Sequence, residues 1–274
     1  DAVLRVDLEL LAALAVLVVA SPATAQKTED EARLVFTMGL TYTGGSDLWS
    51  VEDQPILVPV AGFDLIDIDR NIRGGIGVLF SGMYFPKPKL GYVGEVFFMG
   101  VGLEDRCAVA SPTPNPRTEQ LCSSIDGATK SSSAVLMSIG PVLRAGADQP
   151  ISPYIRAQVG LLFSNLSPIS TSGTVVVTDP GTGAQEYLQY VVYTDPSSTR
   201  VTPGFVFGGG LTAVIGKGWQ LRTEVRDNLV QIATVAGPTS PGNDDPVIVN
   251  EWKNLWSIVL AADIVLEKKR GRRY

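Results

Sequence analysis

The side chains able to do chemistry in this sequence are arginines and carboxylates set at alternate positions, two cysteines and a scatter of loop aspartates; none of its 274 residues is histidine. That absence removes the usual general base near neutral pH and the commonest metal ligand. Gln220, Arg222, Glu224, Arg226 and Asn228 occupy every second position of one segment, with Trp219, Leu221, Thr223, Val225 and Leu229 between them. Only Asp227 breaks the apolar row. Tyr154, Arg156, Gln158 and Gly160 alternate in the same way with Ile155, Ala157, Val159 and Leu161, and Lys253, Ser257 and Asp263 alternate with Trp256, Ile258, Leu260 and Ile264. Such rows neutralise one another if they face a common interior, because a confined charge is costly unless partnered or hydrated. Arg73, Arg144, Arg156, Arg222 and Arg226 on one side, and Glu95, Glu224 and Asp263 on the other, are the expected members of an internal salt-bridge network.

Other motifs support less. Cys107 and Cys122 lie fourteen residues apart in the intervening sequence, and a disulfide is the expected pairing if the chain passes an oxidising compartment. A thiolate metal site with no histidine nearby is the weaker reading. Asp64, Asp67, Asp69, Asp244 and Asp245 have the chemistry to take Ca²⁺, although spaced loop carboxylates are ordinarily just solvated. Gly208 to Gly210 and the Gly216-Lys217-Gly218 turn lack the Walker spacing and open no helix, so no nucleotide site is read there. No metal or cofactor is expected, and a net charge of −6 argues against nucleic acid as a partner.

The elements that must position these rows are strands. Period-two patterning recurs in eight segments: Leu34–Thr43, Asn71–Phe85, Leu90–Glu104, Ser133–Ala145, Pro153–Ser164, Thr202–Gly216, Trp219–Val230 and Glu251–Leu266. Each is long enough to cross a hydrocarbon core as a tilted strand. The connections alternate between long (44–70, 105–132, 165–201, 231–250) and short (86–89, 146–152, 217–218), the rhythm of an up-and-down barrel with tight turns at one rim. Apolar rows then face lipid; a soluble carrier needs them inside. Tyr84, Tyr92 and Trp219 fall beside the short turns, while Tyr42, Phe163, Phe205, Trp252 and Trp256 fall toward the long loops, giving two aromatic girdles. The third segment is less regular, because the face of Glu95 also carries Val93, Phe97, Met99 and Val101, and a bulge or register change is one cause to look for. Thr174–Thr178 and Gln185–Tyr193 read as a hairpin projecting from the third long loop; were they to cross the membrane instead, the strands would number ten.

Ahead of the strands, Leu10 to Ala20 is an apolar run too short to span a bilayer, followed by Ser21-Pro22 and the small residues Ala23 and Ala25. Residues 1–25 are therefore expected to be a signal peptide cleaved before Gln26, although Asp1, Asp7 and Glu9 against Arg5 alone give a less basic start than such leaders have. Residues 26–33 would be a periplasmic segment, 34–266 the barrel, and 267–274, with Lys268, Lys269, Arg270, Arg272 and Arg273, a basic periplasmic tail.

From Arg33 to Leu266, in stretches such as Ser138-Ile-Gly-Pro-Val-Leu-Arg144 and Thr202–Gly216, the chain resembles the small eight-stranded outer-membrane β-barrels of the OmpA/OmpX type, including the OmpW-like members. The resemblance implies an all-β, closed, eight-stranded antiparallel transmembrane barrel in a Gram-negative-type outer membrane, with extracellular long loops and periplasmic termini. It also implies lipid and the barrel-assembly machinery as partners, a monomer, and no nucleic acid. Such barrels usually end on an aromatic residue closing the last strand, whereas Leu266 is followed by EKKRGRRY. The expected function is a non-enzymatic anchor for four long loops, with a narrow pore or a conduit for small or hydrophobic molecules as the alternative. Outer-membrane barrels that are enzymes generally employ histidine, which this chain lacks.

Overall fold

A computed structural model describes residues 33–58, 62–146, 149–164, 169–178, 181–195, 200–243 and 245–267. The leader expected at 1–25, the segment ahead of Arg33, the basic tail beyond Glu267 and Asp244 lie outside them. Twelve strands are present among the described residues: β1 (Arg33–Gly45), β2 (Asp47–Val58), β3 (Gly62–Arg73), β4 (Gly75–Phe85), β5 (Leu90–Val109), β6 (Thr129–Arg144), β7 (Ile151–Ser164), β8 (Thr171–Thr178), β9 (Gln185–Tyr193), β10 (Arg200–Gly216), β11 (Trp219–Val235) and β12 (Ile248–Glu267). One helix, α1 (Pro116–Ile125), lies between β5 and β6.

Eight strands form a ring in the order β1, β4, β5, β6, β7, β10, β11, β12, every neighbour antiparallel, and β12 pairs back onto β1 from Glu267↔Arg33 to Leu255↔Gly45. Ring closure gives each backbone N–H and C=O in the span a partner, which hydrocarbon cannot supply. The apolar rows point outward. Leu34, Phe36, Met38, Leu40 and Tyr42 of β1 are all exposed, as are Ile258, Leu260 and Ile264 of β12 and Leu221 and Val225 of β11. Between them the inward residues Thr37, Thr41, Arg222, Glu224, Ser257 and Asp263 are buried. This is a barrel turned inside out relative to a soluble protein, and it is a transmembrane fold. Tyr84, Tyr92 and Trp219 are exposed at the short-turn end, and Tyr42, Phe205, Trp252 and Trp256 are exposed toward the long loops; Phe163 lies half-buried on the same outer face. Two contacts join aromatic residues toward the long loops, Tyr42 with Trp256 and Phe205 with Trp252, each with ring centroids 5.6 Å apart. At the tightest turn, Lys217-Gly218, Gly218 takes φ +77°, which a side chain would oppose.

The long connections hold more structure than a loop reading allows. β2 continues β1 and β3 leads into β4, so β2 and β3 form an antiparallel pair standing beyond the membrane span. β5 and β6 extend as far as Glu104↔Thr129, and β11 and β12 as far as Val235↔Ile248. β8 and β9 form a separate two-stranded sheet outside the ring, so the ring keeps eight strands. The helix α1 was not expected. Asn115 caps it by accepting from the Arg117 amide, and Pro116 supplies the preset φ of a first helical position.

The inward position expected of Arg73 is reversed. Ile72 is buried, and the Arg73 side chain is 60% exposed with its Nε 2.8 Å from Glu104 Oε2. The reason is a one-residue change of register along β5, which pairs Arg73↔Gly102 on β3 but Val78↔Phe98 on β4. One extra residue near Gly74 exchanges the faces of everything before it. The bulge therefore belongs to the β3–β4 run, while β5 keeps its parity: Val93, Glu95, Phe97, Met99, Leu103 and Asp105 are all buried.

An arginine at Leu260, whose ring neighbours are Leu40 and Thr223, is expected to destabilise the barrel by about 2–4 kcal/mol, as for other lipid-facing positions near mid-membrane. Urea unfolding of the Leu260→Arg variant in phospholipid vesicles measures this; no loss would place the residue outside the hydrocarbon.

Candidate functional site

The interior is filled in layers. Nearest the short turns an apolar cluster of Val35, Met83, Phe85, Val93 and Val142 packs with Tyr154. Next come the charges. Arg156 on β7 reaches two acids, with Nη1 2.7 Å from Glu95 Oε2 and Nε 2.8 Å from Glu224 Oε1. Arg226 Nη1 donates to the other Glu95 oxygen, and its guanidinium lies 4.3 Å from the centre of the Phe97 ring. The Tyr154 hydroxyl donates to Glu224 Oε2 at 2.6 Å. Arg222 donates from Nε and Nη2 to Asp263 Oδ2, Asp263 Oδ1 accepts from Thr37, and the Arg222 guanidinium lies over the Tyr154 ring. Arg144 sits nearer the turn, where Nη2 donates to Ser152 Oγ at 3.3 Å. Three arginines and three carboxylates from β5, β7, β11 and β12 thus meet in one buried set. Gly208 makes room for it: a Cβ there would stand 2.7 Å from Glu224 Oε1 and 3.0 Å from Arg226 Cβ.

Above the charges the lumen is apolar again, with Leu79, Phe97, Met99, Leu136, Leu162, Val206, Val230 and Val259 buried in a cluster that continues into the long-loop end. A cavity of about 60 Å³, lined by residues such as Leu48, Ile72, Met99, Leu162 and Leu255, lies at that end of the barrel.

The long loops interlock over the mouth. Cys107 and Cys122 are bonded, joining the end of β5 to α1. Closing a loop of that size restricts the unfolded chain by about 3 kcal/mol. Arg70 of β3 pairs with Asp105 of β5, donates from Nη2 to Thr171 Oγ1 at 2.9 Å, and lies over the Trp49 ring. Lys130 Nζ stands 3.5 Å from Asp105, and burial and Arg70 together pull the ammonium below the usual lysine range. The Tyr193 hydroxyl donates to Gln54 Oε1, which also accepts from the Thr239 amide. Burial pushes the Tyr193 phenol up, so it stays protonated and a donor. Asp64 accepts from Thr118 Oγ1 and from the Asn115 amide at 2.9 Å, and these bonds, Thr118 first, hold its carboxyl below the usual range. Sequence reasoning missed Arg70, Asp105, Gln54 and Tyr193; the strict alternation of Ile66, Ile68 and Arg70 was the available signal. Among the described residues no group of three or more Cys, Asp or Glu is placed to hold a metal ion.

No family model matches the chain, and no curated protein matches it. Solved structures do. The chain is similar to the outer membrane protein OprG of Pseudomonas aeruginosa, at 9% identity over 87% of this chain and 98% of that one, TM-score 0.45. It is similar to the outer membrane protein AlkL in DMPC lipid bilayers, at 15% identity over 92% and 98%, TM-score 0.43. It is also similar to Neisserial surface protein A, at 8% identity over 85% and 96%, TM-score 0.39. These neighbours are small outer-membrane β-barrels, and at such identities the likeness concerns fold alone.

Removing Glu95 leaves Arg226 buried without a carboxylate and Arg156 with Glu224 alone, so Glu95→Ala is expected to lower unfolding stability by about 3–5 kcal/mol. The midpoint of heat-modifiable gel mobility measures it, and an unchanged midpoint would mean the lumen is wet enough to solvate both cations.

Because the Asp64 carboxyl is lowered in the fold, its contribution to holding α1 is present above the unfolded-state value and is lost as pH falls through the lower, folded one. Pepsin cleavage within 116–125 is therefore expected to rise as pH drops below the ordinary carboxylate range, and Asp64→Ala should be cleaved equally across that range.

Proposed function

We propose that this chain is a non-enzymatic outer-membrane barrel whose sealed interior anchors a folded extracellular cap, the cap being the surface that meets the environment or a partner. The observation that carries this reading is the filled lumen: paired Arg156, Arg222 and Arg226 with Glu95, Glu224 and Asp263, overlaid by the Phe97 layer. An eight-stranded ring is just wide enough for side chains to fill. In this reading the long loops are extracellular and both termini periplasmic. The barrel is inserted by the barrel-assembly machinery and stands as a monomer in lipid without nucleic acid or cofactor, and the seven interior positions that remain once Arg73 is set outside, together with the eight girdle positions, serve structure and not catalysis.

A second reading, a conduit for small or hydrophobic molecules, draws support from the apolar cavity at the long-loop end, from which a molecule would have to pass the charged layer. Purified protein in a planar bilayer separates the two. The anchor reading expects no steady ion current from wild type and measurable current once Glu95 and Arg226 are both replaced by alanine. A steady open current from wild type defeats it.

A further inference from the structure

Among the described residues β9 pairs with β8 alone, which leaves its second edge without a neighbouring strand. The opposite edge of the hairpin is covered, because Ser124 and Gln120 of α1 accept from the β8 amides of Thr174 and Val176. An open edge is a template for another strand, and proteins ordinarily blunt one with lysine, proline or a bulge. β9 has none of these along its free length. Its sequence, QEYLQYVVY, carries Glu186 as its single charge, and its register with β8 is regular from Thr178↔Gln185 to Ser172↔Val191. Tyr187 is 70% exposed, and Leu188 and Val191 are exposed beside it.

The pattern of β9 identifies the occupant. About Gln189 the strand is close to symmetric, with Tyr187-Leu188 on one side and Tyr190-Val191 on the other. When a second copy lies antiparallel with a two-fold axis at Gln189, Tyr187 stands opposite Val191 of the other copy and Leu188 opposite its Tyr190. Aromatic then meets aliphatic at every pair flanking the axis. Charge selects the same arrangement. The sequence carries a net charge of −6, and Asp47, Glu52, Asp53, Asp64, Asp67 and Asp69 crowd the first connection, so two caps repel wherever those surfaces meet. An axis at Gln189 keeps the two Glu186 carboxylates roughly 20 Å apart along the paired strands, well beyond the screening length of about 8 Å in physiological salt.

We propose that β9 is a self-recognition strand: two copies of this chain pair through it, antiparallel about Gln189, and join their β8–β9 hairpins into one four-stranded sheet. The barrels stay apart, each surrounded by its own lipid, and only the caps touch. Pairing over Tyr187–Val191 buries far less than the ~1,200 Å² of a stable interface, so a single contact is weak and acts where many caps are crowded together. The proposal names the partner of the cap and so rests on the reading of the cap as the contact surface. The cross-link that tests it and the bilayer current that tests that reading are measured independently.

The two native cysteines are bonded to each other, so an introduced cysteine is the one free thiol of the chain. Gln189→Cys sets its thiols across the axis, with Cα atoms about 4.5–5.5 Å apart and within reach of a disulfide. Gln185→Cys, also exposed on the same strand, sets them roughly 27 Å apart. The full chain is reconstituted at high density in phosphatidylcholine vesicles, oxidised with copper phenanthroline and run on non-reducing gels. Gln189→Cys is expected to give on the order of tenfold more dimer than Gln185→Cys. Adding Tyr187→Lys and Val191→Lys to the Gln189→Cys chain, which sets lysine opposite lysine, should remove that excess while the ring, which excludes β9, keeps its heat-modifiable mobility. Linking through Gln189→Cys that is no greater than through Gln185→Cys overturns the proposal, as does an excess that survives the lysines. The comparison of the two cysteine positions stands alone if the lysine hairpin does not fold, because random collision does not distinguish them.

Discussion

Everything in this molecule follows from the fact that a backbone in hydrocarbon must satisfy its own hydrogen bonds. The ring from β1 round to β12 does so without an edge, and once it is closed, alternation leaves each strand one face for lipid and one for the lumen. Outside the membrane span the constraint lapses, and the sheet changes accordingly. β3 takes over from β4 beside β5, β11 and β12 run on as a two-stranded ribbon, and β2 pairs with β3 alone. Free edges there are managed locally. The helix α1 offers Ser124 Oγ to the Thr174 amide and Gln120 Oε1 to the Val176 amide, so the outer edge of β8 is answered by side chains.

Closing eight strands creates a second problem, a core too narrow for a channel and too long to be filled by one kind of side chain. The solution is layered. Apolar residues at the short-turn end and above Phe97 bracket a charged layer in which each carboxylate meets an arginine from another strand. Replacing Glu95 leaves Arg226 buried without a carboxylate, and replacing Asp263 does the same to Arg222, so the layer is conditional on being complete. It also ties β5, β7 and β11 across the lumen, contacts that ladder hydrogen bonds between neighbours cannot make.

The ring was legible because its signal is redundant: eight alternating rows, three short turns and two aromatic girdles all point the same way. The face of Arg73 was not, because parity carries no memory of a bulge; only the Gly74-Gly75 pair marked the place where it changes. The mixed row around Glu95 was legible as an anomaly but not as its cause, since Val93, Phe97 and Met99 face inward into the apolar layers of the lumen. α1 was hidden by the prolines of Ser111–Arg117, although Asn115-Pro116 is itself a helix start. β2 was hidden by Glu52-Asp53-Gln54-Pro55, which reads as a turn and is in fact a register irregularity with Asp53 at φ +54°. Arg70 and Asp105 belong to different loops of the sequence, so nothing local announced that they would pair.

The cap's cohesion rests on those non-local pairs more than on its one covalent link. The disulfide joins Cys107 to Cys122 within a single connection and so constrains only that connection. Arg70 with Asp105 and Thr171 ties the first, second and third connections, and Gln54 with Tyr193 and Thr239 ties the first, third and fourth. These bonds lie against Ile66, Ile68, Ile125, Leu121 and Trp49, all buried, where an unmade hydrogen bond is most costly. A buried polar network that spans all four connections gives the cap one arrangement in preference to four independently moving loops. A surface held in that way presents a fixed shape, which recognition of a partner by complementary surfaces requires and a set of solvated loops does not provide.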